Sequence, residues 1–239
     1  MADEKNIYKH AFWLYGVIIG LAIKEALEIT IPHLINPSRL AMELAQNHQQ
    51  FNFPHPQYSL YPELLRLTVF LALVIRFYLG SAYYFGTAYD ADDADKKYQK
   101  KSYGVDFVFG FMHFIGFVVL ALTIDIHTTP FQWFGYAVAF ILLYDFVWYV
   151  FSYRQDTSDL IFWWMVVNGV NCLGSAVLYL IVERQTGDTI KAEIWALWPV
   201  LLVSGFDIGW MMIKRPFFEL ISEKAPRARK NNSPEPPTV

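Results

Sequence analysis

Six long apolar segments follow one another along the chain, and this recurrence limits its folds more than any other feature. Each segment has about the 20 apolar residues that a helix needs to cross a bilayer. Charged residues make up only 17% of the chain, below the level that is usual in soluble domains. The sequence therefore predicts an all-α, polytopic membrane protein in which residues 1–222 form one transmembrane domain. The predicted spans are 11–31, 62–85, 105–125, 131–152, 159–182 and 193–213.

Lysine and arginine are unevenly divided between the two sides of this topology. The N-terminus, the 86–104 and 153–158 loops and the C-terminal tail hold thirteen of them, and the other three loops hold three. Because cytoplasmic loops carry the excess of basic residues, both termini are predicted to be cytoplasmic. The Pro-rich, polar tail at 223–239 is predicted to be disordered.

The first apolar segment carries charge in its second half. Lys24 and Glu28 are four residues apart, so they share one face of a helix and can pair. Ile19, Ile23 and Thr30 lie on a neighbouring face. One interpretation is ordinary packing, with the charged pair near the membrane interface. The other is an ion path lined by these five side chains, with an apolar constriction that gates by dewetting.

A second set of charges lies deep in the even-numbered segments. Arg76 needs a partner there, and Asp145 and Asp207 occupy matching positions further along the chain. We expect these three residues to form a buried charge network, which either fixes helix packing or acts as a charge relay or ion site. Arg66 lies near a segment end, where its long side chain is expected to reach the interface.

Three further polar residues lie within apolar segments. His113 is in the third segment, and Asn168 and Asn171 are in the fifth. We expect them to pack in the bundle and to form hydrogen bonds across helices.

Two pairs of segments share a faint pattern. The motif Asp-x-x-Trp occurs at 145–148 and again at 207–210, and DFVFGFM at 106–112 resembles DLIFWWM at 159–165. The pattern favours a repeat of helical hairpins, as is common in transporters.

Motifs of catalytic and cofactor sites are missing from the sequence. HExxH, GxSxG and a phosphate-binding loop do not occur, and there is no basic domain of the kind that binds nucleic acid. We therefore predict no catalytic residues, no metal, no cofactor and no nucleic-acid partner. Membrane lipid, further copies of this chain and a cytoplasmic protein are the expected partners.

The run GVIIGLAIKEALEITIP, Gly16 to Pro32, resembles the first helix of the lysosomal potassium-channel family and its bacterial members (transmembrane protein 175-like). The matching positions are Ala11, Phe12, Gly16, Val17, Leu27, Glu28, Ile29 and Pro32. The segment at 62–85 has a similar outline, although the R-x-x-x-F-S-D signature and the paired histidines of the family are absent. The resemblance implies an oligomer, such as a tetramer, in which the first helix lines the pore and Ile19 and Ile23 form the constriction.

Two functions follow from these expectations. The leading hypothesis is a channel-like protein of the inner (plasma) membrane that passes small ions, such as K⁺ or another monovalent cation, along the first helix. The alternative is a non-conducting sensor or anchor subunit that binds a partner protein through the 86–104 loop and the tail.

Overall fold

The computed structural model describes residues 2–35, 61–89, 103–125, 131–153 and 159–214. Within these ranges the chain is helical, except at 123–125 and 187–188. The helices are α1 (Ala2–Ile35), α2 (Tyr61–Tyr89), α3 (Tyr103–Leu122), α4 (Phe131–Tyr153), α5 (Asp159–Thr186) and α6 (Thr189–Lys214). A helix therefore lies over each predicted segment, and the tail at 223–239 lies outside the described residues.

Three of the described helices are long and apolar enough to cross a membrane. They contain the stretches Tyr61–Ala82, Trp164–Thr186 and Thr189–Met212. Shorter apolar stretches occupy α3 and α4. Large apolar side chains also point outward, including Leu173, which is 68% exposed, and Phe206, which is 69% exposed. An outer surface of this kind suits lipid rather than water, and together with the three long apolar helices it indicates a membrane protein.

Aromatic side chains fill the core where α1, α2 and α3 meet. Tyr15 donates a hydrogen bond to the Phe107 carbonyl oxygen at 3.0 Å, and its ring centroid lies 4.4 Å from that of Phe114. Phe77 contacts Phe114 edge-on and stacks on His113, with the second pair of centroids 3.6 Å apart. Aromatic pairs add about 0.5–1.5 kcal/mol each beyond the area they bury. These contacts hold α1 against the rest of the bundle.

A short connection makes α5 and α6 an antiparallel hairpin. Gly187 adopts a φ of 65° and its N–H bonds to the Glu183 carbonyl oxygen at 2.8 Å, which is the usual role of glycine after a helix. Asp188 Oδ1 then accepts hydrogen bonds from the backbone N–H groups of Ile190 and Lys191 at 3.0 and 3.1 Å, as expected of a helix cap. Residues equally far from this connection lie at the same depth.

Arg66 is buried rather than directed to the interface, so that expectation is wrong. Its Nε and Nη2 donate to Oε1 and Oε2 of Glu193, both at 2.7 Å, and its guanidinium carbon lies 5.3 Å from the centre of the Phe134 ring. A bidentate carboxylate satisfies the planar guanidinium better than a single contact can. Glu193 begins the apolar part of α6 at the same end of the bundle, and this partner keeps Arg66 inside.

The two Asp-x-x-Trp motifs have unlike surroundings. Asp145 and Asp207 are both buried. Trp148 is also buried and its Nε1 donates to Asp106 Oδ1 at 3.3 Å, whereas Trp210 is 51% exposed. The likeness between the two motifs therefore extends to the carboxylates and not to the tryptophans.

Replacing Gly110 by valine should destabilise the protein by about 1–3 kcal/mol, the usual cost of overpacking a core. A Cβ atom at this position would lie 3.0 Å from the Tyr15 hydroxyl oxygen, so the ring that holds α1 would have to move. Thermal unfolding in detergent measures the change. Gly174→Val is the matched control, because no described atom lies within 4 Å of its added Cβ. Equal destabilisation by the two variants would contradict this account of the core.

Candidate functional site

Five buried polar side chains, one from each of α2 to α6, come together inside the bundle. Each is at most 9% exposed. We call this group the central cluster, and its members are Arg76, His113, Asp145, Asn168 and Asp207. Ionisable side chains within a membrane bundle are costly and are typically functional, so the central cluster is the candidate site.

The central cluster contains a short ion pair between α2 and α6. Arg76 Nε donates to Asp207 Oδ2 at 2.6 Å, and both side chains are buried. The sequence placed these two residues in one network, and the structure brings them into contact. Bonds between ionised groups are about twice as strong as neutral ones.

Asp145 is bonded on one side only. Its Oδ2 accepts a hydrogen bond from Asn168 Nδ2 at 3.0 Å. Its Oδ1 lies 3.5 Å from His113 Nδ1, which is longer than a good hydrogen bond. Among the described residues, neither Asp145 Oδ1 nor either ring nitrogen of His113 has a hydrogen-bond partner. A buried polar group without a partner costs about 1–3 kcal/mol, so this side of the central cluster is open to a small polar ligand.

A small cavity lies at that open side. Arg76, His113 and Asp145 line it together with Phe77 and Trp164. Its volume is about 10 Å³, close to the least that holds one water molecule. The Phe77 ring stacks on the imidazole at 7° and keeps it facing the carboxylate. A water molecule there would have a cation, a carboxylate and an imidazole as partners.

Polar side chains continue from the central cluster on both α5 and α6. Asn168, Asn171 and Ser175 share one face of α5 because they are three and four residues apart. Asn171 lies as far before the end of α5 as Ser204 lies after the start of α6, so the two residues are level in the hairpin. We call these four residues the α5–α6 polar seam.

Three of the four seam residues are buried and Ser175 is half-buried, yet their polar atoms are poorly satisfied. Within the part of the chain that the structure describes, Asn171 Oδ1 and Nδ2, Ser175 Oγ, Ser204 Oγ and Asn168 Oδ1 have no hydrogen-bond partner. Polar groups in protein interiors are nearly always bonded to protein or to ordered water. The expected bonds of Asn171 across helices are therefore not formed with any described residue, and water can take the place of a protein partner.

Helix α1 divides its five predicted pore residues between two faces. Ile19 and Thr30 are buried, Ile23 packs against the core of the same chain, and Thr30 Oγ1 bonds to the Ala26 carbonyl oxygen at 2.9 Å. The remaining two, Lys24 and Glu28, pair at 2.8 Å with side chains 62% and 59% exposed. Ile23 is half-buried and lines an open groove with Lys24 and Glu28, whereas Ile19 and Thr30 are buried, so the five side chains do not face one common path within the chain.

The outer face of α1 is open between Gly16 and Glu28. Gly16 and Gly20 lie on it, and a Cβ atom added to either would have no described atom within 4 Å. Lys24 and Glu28 continue the same row at intervals of four residues. A glycine row allows close approach of another helix.

The polar residues outside the predicted network were the ones that sequence reasoning underrated. Asn168 forms the expected bond across helices, to Asp145 Oδ2, and His113 lies beside the same carboxylate, but neither residue was placed in the charge network. Their signal was their depth, because His113 and Asn168 lie as far inside their apolar segments as the charged residues do.

No family model matches the chain, and no curated protein or solved structure matches it.

Replacing Arg76 by leucine should destabilise the protein by about 3–5 kcal/mol, because it leaves Asp207 buried without its cation. Thermal or denaturant unfolding in detergent measures the loss. The double variant Arg76→Leu/Asp207→Leu should recover most of it, since apolar replacement of a whole buried pair is often neutral. A double variant as unstable as the single one would show that Arg76 does not act through this pair.

Proposed function

We propose that this protein passes small ions across a membrane and that the central cluster handles the ion. One observation carries the proposal. Ionisable side chains from four helices, Arg76, His113, Asp145 and Asp207, are buried, and three of them line a cavity the size of a water molecule. Side chains of this kind inside membrane bundles mark ion pathways and proton relays.

A comparison with the other buried ion pair supports this interpretation. Arg66 and Glu193 form a closed, bidentate contact that suits a structural clamp. In the central cluster, Arg76 faces two buried carboxylates, and Asp145 Oδ1 has no hydrogen-bond partner among the described atoms. A polar network kept only for stability would be satisfied, because low dielectric makes each missing bond costly.

The proposal includes six spans with cytoplasmic termini, in the inner (plasma) membrane. Helices α2 and α6 are joined by two ion pairs, Arg66–Glu193 and Arg76–Asp207, whose order along both helices is the same, so the helices run parallel. In an alternating bundle two helices run parallel when an odd number of crossings separates them, as the three crossings of α3, α4 and α5 would. The excess of basic residues in the termini and in alternate loops supports their cytoplasmic location.

A second route for ions follows the outer face of α1. In this route, further copies of the chain meet around Gly16 and Gly20, and the exposed charges of Lys24 and Glu28 face a shared path for K⁺ or another monovalent cation. The open glycine row and the resemblance of α1 to the lysosomal potassium-channel family support it. The interior route has the stronger support, because Ile19 and Thr30 are buried in the chain itself.

The non-conducting sensor or anchor remains the alternative function. In that case the central cluster only fixes the packing of α2, α4 and α6. Most of the 86–104 loop that would bind a cytoplasmic partner, residues 90–102, and the tail at 223–239 lie outside the described residues.

The Asp145→Asn variant should lower ion flux in proteoliposomes by about tenfold or more, the usual effect of losing a group that exchanges protons. Asparagine keeps the shape of the side chain and removes its charge. Flux of protons and of K⁺ is followed separately, with a pH-sensitive dye and a potassium-sensitive dye. Glu28→Gln is the matched control, because it removes a carboxylate from the α1 face and should leave flux unchanged.

The outcomes separate the three functions. Loss of flux in Glu28→Gln with normal flux in Asp145→Asn would replace the interior route by the α1 route. A wild-type protein that carries neither ion would overturn ion passage and favour the non-conducting module.

The α1 route makes its own prediction about assembly. We expect Gly20→Leu to reduce the mass of the detergent-solubilised complex, measured by light scattering, because leucine blocks close approach of a second helix. Val170→Leu, at an outward position 66% exposed on α5, should leave the mass unchanged. A wild-type monomer would contradict the route.

A further inference from the structure

We propose that the ion is the proton and that it reaches the central cluster through water held in the α5–α6 polar seam. This inference rests on the proposed function and specifies it. The seam was defined above by Asn168, Asn171, Ser175 and Ser204, and the observation that carries the proposal is its set of buried polar atoms without protein partners.

The position of the seam makes it an extension of the central cluster. Asn168 belongs to both, since its Nδ2 donates to Asp145 Oδ2 at 3.0 Å. Asn168 lies as far before the end of α5 as Asp207 lies after the start of α6, so the seam starts level with the ion pair. Asn171 and then Ser175 continue it towards the connection between the two helices. In the proposed topology that end faces away from the cytoplasm.

The side chains of the seam suit water rather than a metal cation. Serine hydroxyls and asparagine amides both donate and accept hydrogen bonds, so they can hold water molecules in either orientation. Conduction of K⁺ needs rings of oxygen atoms that replace the hydration shell. The described residues provide no such ring, and the cavity of about 10 Å³ has room for one water molecule. A proton passes through such a space by exchange between neighbouring molecules, without a wide pore.

The transfer at the central cluster needs no partner other than water. A protonated water at the inner end of the seam gives its proton to Asp145 Oδ1, so that an O–H bond forms there and neutral water is left. The proton then moves to His113 Nδ1, 3.5 Å away, either directly after a small approach or through the water in the cavity. The carboxylate is regenerated, and the imidazolium then gives a proton to a water molecule, which carries it away and leaves the ring neutral again. Arg76 and Asp207 stay paired throughout.

The first test compares proton flux in proteoliposomes of the full-length chain. Asn171→Leu and Ser204→Val should each lower proton flux by about tenfold, since they replace seam groups by apolar ones of similar size. Thr68→Val is the control, because it removes an exposed hydroxyl from α2 and should leave flux unchanged. Normal proton flux in both seam variants, with flux lost in Asp145→Asn, would overturn the seam and leave the proposed function standing. Wild-type flux of K⁺ without protons would overturn the proton assignment alone.

The second test detects the water itself by hydroxyl-radical footprinting of the reconstituted protein. Trp164 lines the cavity and is 7% exposed, and Trp148, at 2% exposed, packs in the aromatic core. Radicals form where water is present, so Trp164 should be oxidised several times faster than Trp148, and Asn171→Leu should reduce the difference. Equal protection of the two tryptophans would show a dry interior and overturn the inference. This measurement does not depend on flux, so it separates a dry seam from a protein that conducts nothing.

Discussion

The arrangement of the bundle depends on the ion pair between Arg76 and Asp207. Arg76 Nε lies 2.6 Å from Asp207 Oδ2, and both side chains are almost wholly shielded from solvent. Either charge would be costly at this depth without the other. The pair joins α2 to α6, and Arg66 with Glu193 joins the same two helices nearer one end. Two ion pairs between the same two helices keep α2 and α6 adjacent and also fix their register along the helix axes. The tight turn at Gly187 then places α5 beside α6.

The ion pair also explains why the neighbouring acid can act differently. Asp207 satisfies Arg76, so Asp145 keeps an amide donor and a distant imidazole as its contacts. If Asp145 were fully hydrogen-bonded, the central cluster would be a purely structural contact like the pair of Arg66 and Glu193. An incompletely bonded one, beside a cavity with room for water, can gain and lose a proton without breaking the contact that holds the helices. Under the proposed function, stability and ion handling thus fall to different members of one cluster.

Local signals in the sequence were sufficient for the helices and for part of the site. Long apolar runs indicated where helices lie, and the depth of Arg76 and Asp207 within such runs indicated that they would meet. The partner of Arg66 could not be read in this way, because a residue near a helix end can face lipid headgroups or the interior, and only the position of Glu193 decides between them. Helix α1 shows the same limit. Its periodicity showed which residues share a face but not that Ile19 and Thr30 face the core of their own chain.

The polar seam could not be predicted from sequence periodicity, for a related reason. Asn171 and Ser204 are far apart in sequence, and each alone resembles a residue that bonds across helices. Their significance appears only when the hairpin sets them level and their atoms are found without protein partners among the described residues. In water-soluble domains such atoms often lie near solvent. Inside a lipid-facing bundle there is no nearby bulk water, so the groups must either bear the full cost of desolvation or hold water of their own. The second arrangement costs less, and it is the one that the proposed water path requires.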